Sequence, residues 1–233
     1  MKRLGVIGVS SAWLLVQASA TYAQMQPYDA ECVNERGNSQ VIACTKVINY
    51  GYWRGKNLAW AYGNRGYAYI DLNNLDAAIA DYTKAISLKS DGRYYSSRGI
   101  SYLKQNKYDE AIVDLNKALE LEPGDAISLE NRAAAYGSKG MYERAIPDYE
   151  SAVDFGGDTS SLWNNYGYDL FMLGRYNEAL KYFDRSIKID PTNAEAYGNR
   201  GQLKFKLGDF EGADADATRS RELVDQRNAK ISQ

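Results

Sequence analysis

The sequence predicts an all-α protein built from antiparallel helix hairpins copied along the chain, and three observations carry that expectation. The first is a repeat: the hexapeptide AYGNRG stands at residues 61–66 and again at 196–201. With Arg65 as origin, the same neighbourhood returns at Arg98, Arg132, Tyr166 and Arg200, in steps of 33, 34, 34 and 34 residues. The second is a set of columns in phase with it. Ala78, Ala111, Ala145, Ala179 and Ala213 are all alanine, and Gly66, Gly99, Ala133, Gly167 and Gly201 are all small. Leu75, Tyr108, Tyr142, Tyr176 and Phe210 form an aromatic or aliphatic column. The third is the spacing inside each unit. Tyr62, Arg65, Gly66 and Tyr69 follow i, i+3, i+4, i+7, and Leu75, Ala78, Ile79, Tyr82 and Ile86 keep to one stripe of a second helix.

Between the two helices of each unit sits a breaker: Asn73, Asn106, Gly140, Gly174 and Gly208 in turn. Glycine and asparagine tolerate the left-handed conformation that ends a helix. Pro123 and Pro191 stop the second helix of their units, while Ser90 and Gly157 stand where the others would place proline. The units run over about 59–91, 92–125, 126–159, 160–193 and 194–222. A period in this range marks a stacked array. Pro147 falls inside a second helix, where the missing amide donor should kink or loosen it.

An arginine inside an apolar stripe needs a partner, and the hairpin supplies one. Residues equidistant from the turn lie level with each other. Arg65 and Asp81 centre on Asn73, Arg98 and Asp114 on Asn106, Arg132 and Asp148 on Gly140, and Arg200 and Asp216 on Gly208. In the fourth unit both members change together, to Tyr166 and Tyr182 about Gly174, as a direct contact would require. These pairs are expected to be partly buried and to fix hairpin register. Gly66 and Ala78 lie almost level across the same hairpin, which lets the two backbones approach closely.

The N-terminal segment MKRLGVIGVSSAWLLVQASATYA has a positive start at Lys2 and Arg3, an apolar run from Leu4 to Val16, and small residues at Ala18-Ser19-Ala20 and Ala23. That is the layout of a secretory signal peptide, so residues 1–23 are expected to be removed at Ala20 or Ala23. The apolar run is too short for the ~20 residues of a membrane-spanning helix, and no membrane span is expected after cleavage. The location expected is periplasmic or secreted. Cys32 and Cys44 are the only cysteines of the 233-residue chain, and an oxidising compartment favours their pairing. On one straight helix they would stand ~18 Å apart, and bridging needs α-carbons within ~7 Å. The chain must therefore reverse between them, and Gly37-Asn38 offers the turn. CTKVI at 44–48 echoes YTKAI at 82–86, so residues 24–57 read as a degenerate helical hairpin capping the array, with the five units over 58–222 and a polar tail over 223–233.

A helical hairpin of about 34 residues with Gly, Tyr, Ala and Pro at these offsets resembles the tetratricopeptide repeat, over residues 59–222. Lys204 departs from the tyrosines seen as Tyr69, Tyr102 and Tyr136, and Ala217 from the bulky Tyr82, Leu115, Tyr149 and Phe183. The resemblance implies an α-solenoid of stacked hairpins, a right-handed superhelix whose first helices line a concave groove. A helical wheel then puts Trp60, Asn64, Tyr67 and Asp71 opposite the stripe facing the second helix, and the equivalent downstream residues include Ile100, Asn131, Asn165, Tyr168, Phe171, Asn199 and Gln202. Asparagine amides can hydrogen-bond an extended peptide backbone, and tyrosine adds apolar area with a polar tip. Binding of a protein or peptide partner is the function expected, with self-association through the final hairpin as the alternative and a monomer or weakly associating protein in either case.

Other classes find little support. The chain has no histidine, and no Gly-rich phosphate loop or metal-ligand cluster is evident, so neither an enzyme nor a cofactor or metal site is expected. Loss of Lys2 and Arg3 with the leader takes the net charge from −2 to −4, the wrong sign for a nucleic-acid partner. Groove positions offer Arg93, Lys104 and Lys206, scattered among Asp71, Glu130 and Glu195, which does not resemble a clamp for a C-terminal carboxylate.

Overall fold

The computed structural model describes residues 27–231, and every regular element among them is helical. The expected leader at 1–23 lies outside the described residues. The described residues divide into two compact parts, one ending at residue 90 and one beginning at residue 91.

The first part contains α1 (Pro27–Asn34), α2 (Gly37–Tyr50), a 3₁₀ turn (Gly55–Leu58), α3 (Ala59–Asp71) and α4 (Leu75–Leu88). Here α1 pairs with α2 and α3 with α4, and α2 packs on α3. The reversal between α1 and α2 falls at Glu35–Arg36, just ahead of the turn expected at Gly37-Asn38. Gly37 takes the left-handed φ of 58° at the entry to α2, which leaves Asn38 already helical. Cys32 and Cys44 are disulfide-bonded, their α-carbons 4.6 Å apart, and both are fully buried with Ala43, Val47 and Ala61. Gln40 Nε2 donates to the Cys32 carbonyl at 3.0 Å, and Trp53 Nε1 to Asp29 Oδ2 at 3.1 Å, tying α1 to its neighbours. Breaking a link that closes a loop of this size costs about 3 kcal/mol in the chain-entropy account. The Cys32→Ser/Cys44→Ser protein is accordingly expected to unfold at lower urea, and an unchanged midpoint would show the bridge to be dispensable.

The second part contains α5 (Gly92–Lys104), α6 (Tyr108–Leu121), α7 (Ala126–Ser138), α8 (Tyr142–Asp154), α9 (Ser160–Met172), α10 (Tyr176–Ile189), α11 (Ala194–Leu207) and α12 (Phe210–Ile231). Consecutive helices pair as four hairpins. The first helices also touch one another in the order α5, α7, α9, α11. The core running between them includes Leu119, Leu129, Tyr149, Leu162, Trp163, Leu170, Phe183 and Leu203.

Local sequence sets each boundary. The five breakers all adopt positive φ: Asn73 at 55°, Asn106 at 59°, Gly140 at 73°, Gly174 at 76° and Gly208 at 87°. At each turn the next amide closes back onto the carbonyl five residues earlier, as from Arg175 to Leu170 at 2.9 Å and Asp209 to Lys204 at 3.0 Å. Asp91, Asp125, Thr159 and Asn193 recur at the starts of first helices, and each side chain accepts a backbone N–H of the first turn. Helices α6 and α10 stop two residues before Pro123 and Pro191. Where proline is missing after α8, Gly156 turns at φ 88° and the Gly157 amide reaches Ala152 O at 2.8 Å.

Small residues permit the close pairing. A Cβ added at Gly99 would lie 2.9 Å from Leu115 Cγ, and one at Gly167 2.9 Å from the Phe183 ring. Two expectations need amendment. Helix α8 runs without interruption through Pro147, whose side chain lies on the exposed face. Residues 223–231, read as a polar tail, continue α12, which at 22 residues outruns its counterparts of 13 or 14. Leu223 holds that extension down, being buried.

Candidate functional site

Four hairpins are closed by arginine–aspartate pairs. Arg65 Nε and Nη2 donate to the two oxygens of Asp81 at 2.7 and 2.8 Å. Arg98 meets Asp114 at 2.7 and 2.8 Å, Arg132 meets Asp148 at 2.7 and 2.7 Å, and Arg200 meets Asp216 at 2.8 and 2.6 Å. The two-pronged geometry fixes orientation as well as distance. The aspartate side chains retain only 6–11 % of their exposure. Each bond to aspartate raises the guanidinium pKa above its ordinary value, against the opposing effect of burial.

Arg65, Arg132 and Arg200 do more than close their own hairpins. The remaining nitrogen, Nη1, donates to Thr45 from Arg65 at 3.0 Å, to Asn116 from Arg132 at 2.8 Å, and to Asp184 from Arg200 at 2.6 Å. Each acceptor lies on the second helix of the preceding hairpin, so one side chain pins three helices. Lys204, the departure from the tyrosine column, places Nζ 2.9 Å from Asp216. Burial disfavours the Asp216 charge, but Arg200 and Lys204 outweigh it and hold the carboxyl below its ordinary range.

The fourth hairpin substitutes aromatic contact for charge. Tyr166 and Tyr182 lie with ring centroids 4.5 Å apart, Tyr149 stacks on Tyr166 at 5.1 Å, and Trp163 lies 5.2 Å from Tyr182. The Arg185 guanidinium covers the Trp163 ring at 4.3 Å.

Four of the ten candidate groove residues come together. Asn165 and Tyr168 on α9, with Asn199 and Gln202 on α11, line a groove of about 940 Å³ that the long α12 closes on its far side with Leu223, Val224, Gln226 and Arg227. The other six sit otherwise. In the first part of the chain Trp60 is half-buried against Trp53, 6.1 Å away, and the Asn64 amide donates to Trp60 O of its own helix at 3.0 Å. Tyr67 is exposed beside Arg36. In the second part, Asn131 donates to Ile127 O of its own helix at 2.7 Å, Ile100 is half-buried, and Phe171 packs on the core between Tyr168 and Tyr176. Asn199 donates to Asn164 Oδ1 at 2.9 Å, which stiffens the groove floor and leaves its own carbonyl oxygen as acceptor.

Behind the groove wall lies a smaller pocket, about 140 Å³, lined by Ala134, Gly137, Ser138, Tyr149, Asn165, Tyr168 and Asp169. Asp169 is buried, and burial pushes its carboxyl up to about 7, with the nearby Tyr149 hydroxyl opposing the rise. Neither Asp169 Oδ2 nor the Tyr149 hydroxyl has a well-formed hydrogen bond. Sequence reasoning missed Asp169, yet the repeat itself flags it. The same column holds Ala68, Ser101, Ala135 and Leu203, all fully buried and uncharged.

The comparisons with known proteins agree with this architecture. Family profiles described as tetratricopeptide repeat match residues 59–91, 92–125 and 126–155, and a TPR-repeat profile matches 167–208. The chain belongs to the tetratricopeptide-repeat family. No curated protein matches it in sequence. Among solved structures, it resembles MamA from Desulfovibrio magneticus RS-1 at 17 % identity over 72 % of this chain and 96 % of that one, with a TM-score of 0.62. YrrB, a TPR protein with an unusual peptide-binding site, aligns at 24 % identity over 78 % and 93 %, with a TM-score of 0.60. PilF of Pseudomonas aeruginosa aligns at 18 % over 72 % and 78 %, with a TM-score of 0.64. These likenesses place the fold among helical solenoids.

Proposed function

We propose that the protein is an exported scaffold that binds a peptide or protein segment in the groove between α9, α11 and α12. The observation that carries this reading is the groove itself: some 940 Å³ of open space lined by the amides of Asn165, Asn199 and Gln202 beside the exposed Tyr168. Amides supply donors and acceptors for an extended backbone, and the ring supplies apolar area. Members of the tetratricopeptide family are in general scaffolds rather than enzymes, and YrrB carries a peptide-binding site on the same kind of frame.

Selection from a displayed random peptide library tests the reading. Peptides recovered by the protein are expected to lose tenfold or more in affinity for Asn165→Ala/Gln202→Ala, a loss of ~1.4 kcal/mol or greater. Undiminished affinity would place the binding surface elsewhere. Export is supported by the leader-like residues 1–23 and by the Cys32–Cys44 bond, which suits a non-reducing compartment. A fusion of residues 1–30 to a reporter active only outside the cytoplasm is expected to be active, and an inactive fusion would refute export.

A second reading has its own observation. Phe205 and Phe210 form an edge-on pair 5.3 Å apart at the turn of the last hairpin and stay 65 % and 63 % exposed. Self-association through this edge predicts a concentration-dependent mass in light scattering that Phe210→Ser abolishes. A constant monomer mass removes that reading.

A further inference from the structure

Two departures from the repeat meet beside α9. At the column of Ile70, Leu103, Phe171 and Phe205 the third unit carries Gly137, so a large apolar side chain is missing. At the column of Ala68, Ser101, Ala135 and Leu203 the fourth unit carries Asp169. The missing side chain and the added carboxylate face each other. A Cβ at Gly137 would stand 2.6 and 2.7 Å from the two Asp169 oxygens. The pocket lined by these residues exceeds the space of one water about tenfold. It shares Asn165 and Tyr168 with the larger groove, so a segment lying in that groove passes beside it.

The polarity of the pocket decides what fits. Its lining holds one carboxylate, the Tyr149 hydroxyl close beside it and no basic residue. The acids Glu130 and Asp148 add to the negative field at Tyr149. Asp148 is bound to Arg132, and Glu130 accepts from Thr159 and Ser161, so neither relieves Asp169. An anion is repelled there, and an apolar group would leave the buried carboxylate unpaired, which is costly. No group of three or more candidate metal ligands occurs among the described residues. A cation on a flexible stem meets every condition.

We propose that the pocket beside Asp169 receives the ammonium or guanidinium end of a lysine or arginine from the segment bound in the groove, with Asp169 as counter-ion and the Tyr149 hydroxyl and Asn165 alongside. The inference rests on the groove reading and sharpens it, since it gives the bound segment a basic anchor residue. It also makes the selectivity opposite in charge to a clamp that grips a carboxylate.

The test has two independent arms. In the first, n-butylguanidinium and n-butylammonium, with neutral n-butylurea as control, are titrated into ¹⁵N-labelled protein while the amides of Gly137 and Asp169 are followed. Saturable shifts with the cations, at least tenfold weaker with butylurea and in Asp169→Asn, are the expected result. Gly137→Ala keeps the charge but sets a Cβ 2.6 and 2.7 Å from the carboxylate oxygens, so the Asp169 side chain must move, and it is expected to abolish the shifts. Cations that bind Asp169→Asn as well as wild type, butylurea that binds equally, or no shift at all would overturn the proposal. In the second arm, peptides selected on the wild type are compared on Asp169→Asn, and their lysines or arginines are replaced by glutamine. Loss of tenfold or more from both changes is expected. Selected peptides that respond to Asn165→Ala but to neither of these changes leave the groove intact and sink the pocket. A failed peptide selection with intact cation shifts sinks the groove and leaves the cation site.

Discussion

Replacing Asp114 with alanine destabilises the second part of the chain by about 3–5 kcal/mol, because it strands the mostly buried Arg98 guanidinium without its two-pronged acceptor. The double variant Asp114→Ala/Arg98→Leu recovers much of that loss, since it removes the orphaned charge and restores apolar contact at the hairpin seam. Urea unfolding of the single and double variants measures both terms. The fourth hairpin shows the exchange already made: Tyr166 and Tyr182 meet where Arg and Asp stand elsewhere, and the hairpin keeps its turn at Gly174. The charged pair is therefore one of two ways in which these hairpins are closed, and a turn at Asn or Gly forms with either. If the single variant unfolds like wild type, the pairs contribute nothing that packing does not.

Replacing Asp169 with asparagine has the opposite sign. Burial holds the folded carboxyl at about 7, far above its ordinary 3.8, so the folded chain binds a proton that the unfolded chain has lost between those values. Stability from this group is intact below about pH 4, falls as pH rises, and is lost once pH passes 7. At ~1.4 kcal/mol per pH unit the full penalty reaches roughly 4 kcal/mol. Asp169→Asn is expected to raise the melting temperature at pH 8 by several degrees and to leave it nearly unchanged at pH 4. An equal effect at both values would mean that the carboxyl is not held protonated by burial. A group that costs stability at neutral pH and leaves an oxygen unpartnered gains nothing for the fold. That imbalance is the pattern expected if the proposed cation site is used.

The hairpins were legible in the sequence because their period is nearly constant and every turn carries Asn or Gly. Once the turn is known, the level partner of each arginine follows by symmetry, which is why Asp81, Asp114, Asp148 and Asp216 could be read without coordinates. The third partners could not. Thr45, Asn116 and Asp184 depend on how one hairpin leans on the previous one, and no spacing rule within a unit encodes that lean. The groove was half legible. A helical wheel places Asn64 and Asn131 on the right face but does not reveal that each amide turns back to its own helix. Nor does it show that α12 continues past residue 222 to enclose the groove. Gly37-Asn38 both favour reversal, but only Gly37 takes a turn conformation, and Asn38 is already helical. Asp169 was visible only to a reader comparing columns for charge rather than for the residues they share.

Site-directed photocrosslinking in the producing cell puts the groove to its most direct test. A benzoylphenylalanine at Gln202, on the groove, is compared with one at Val113, exposed on the outward face of α6. The account predicts a discrete adduct from position 202, weakened in the Asp169→Asn background, and none from position 113. Adducts from 113 alone, or from both positions equally, would contradict it.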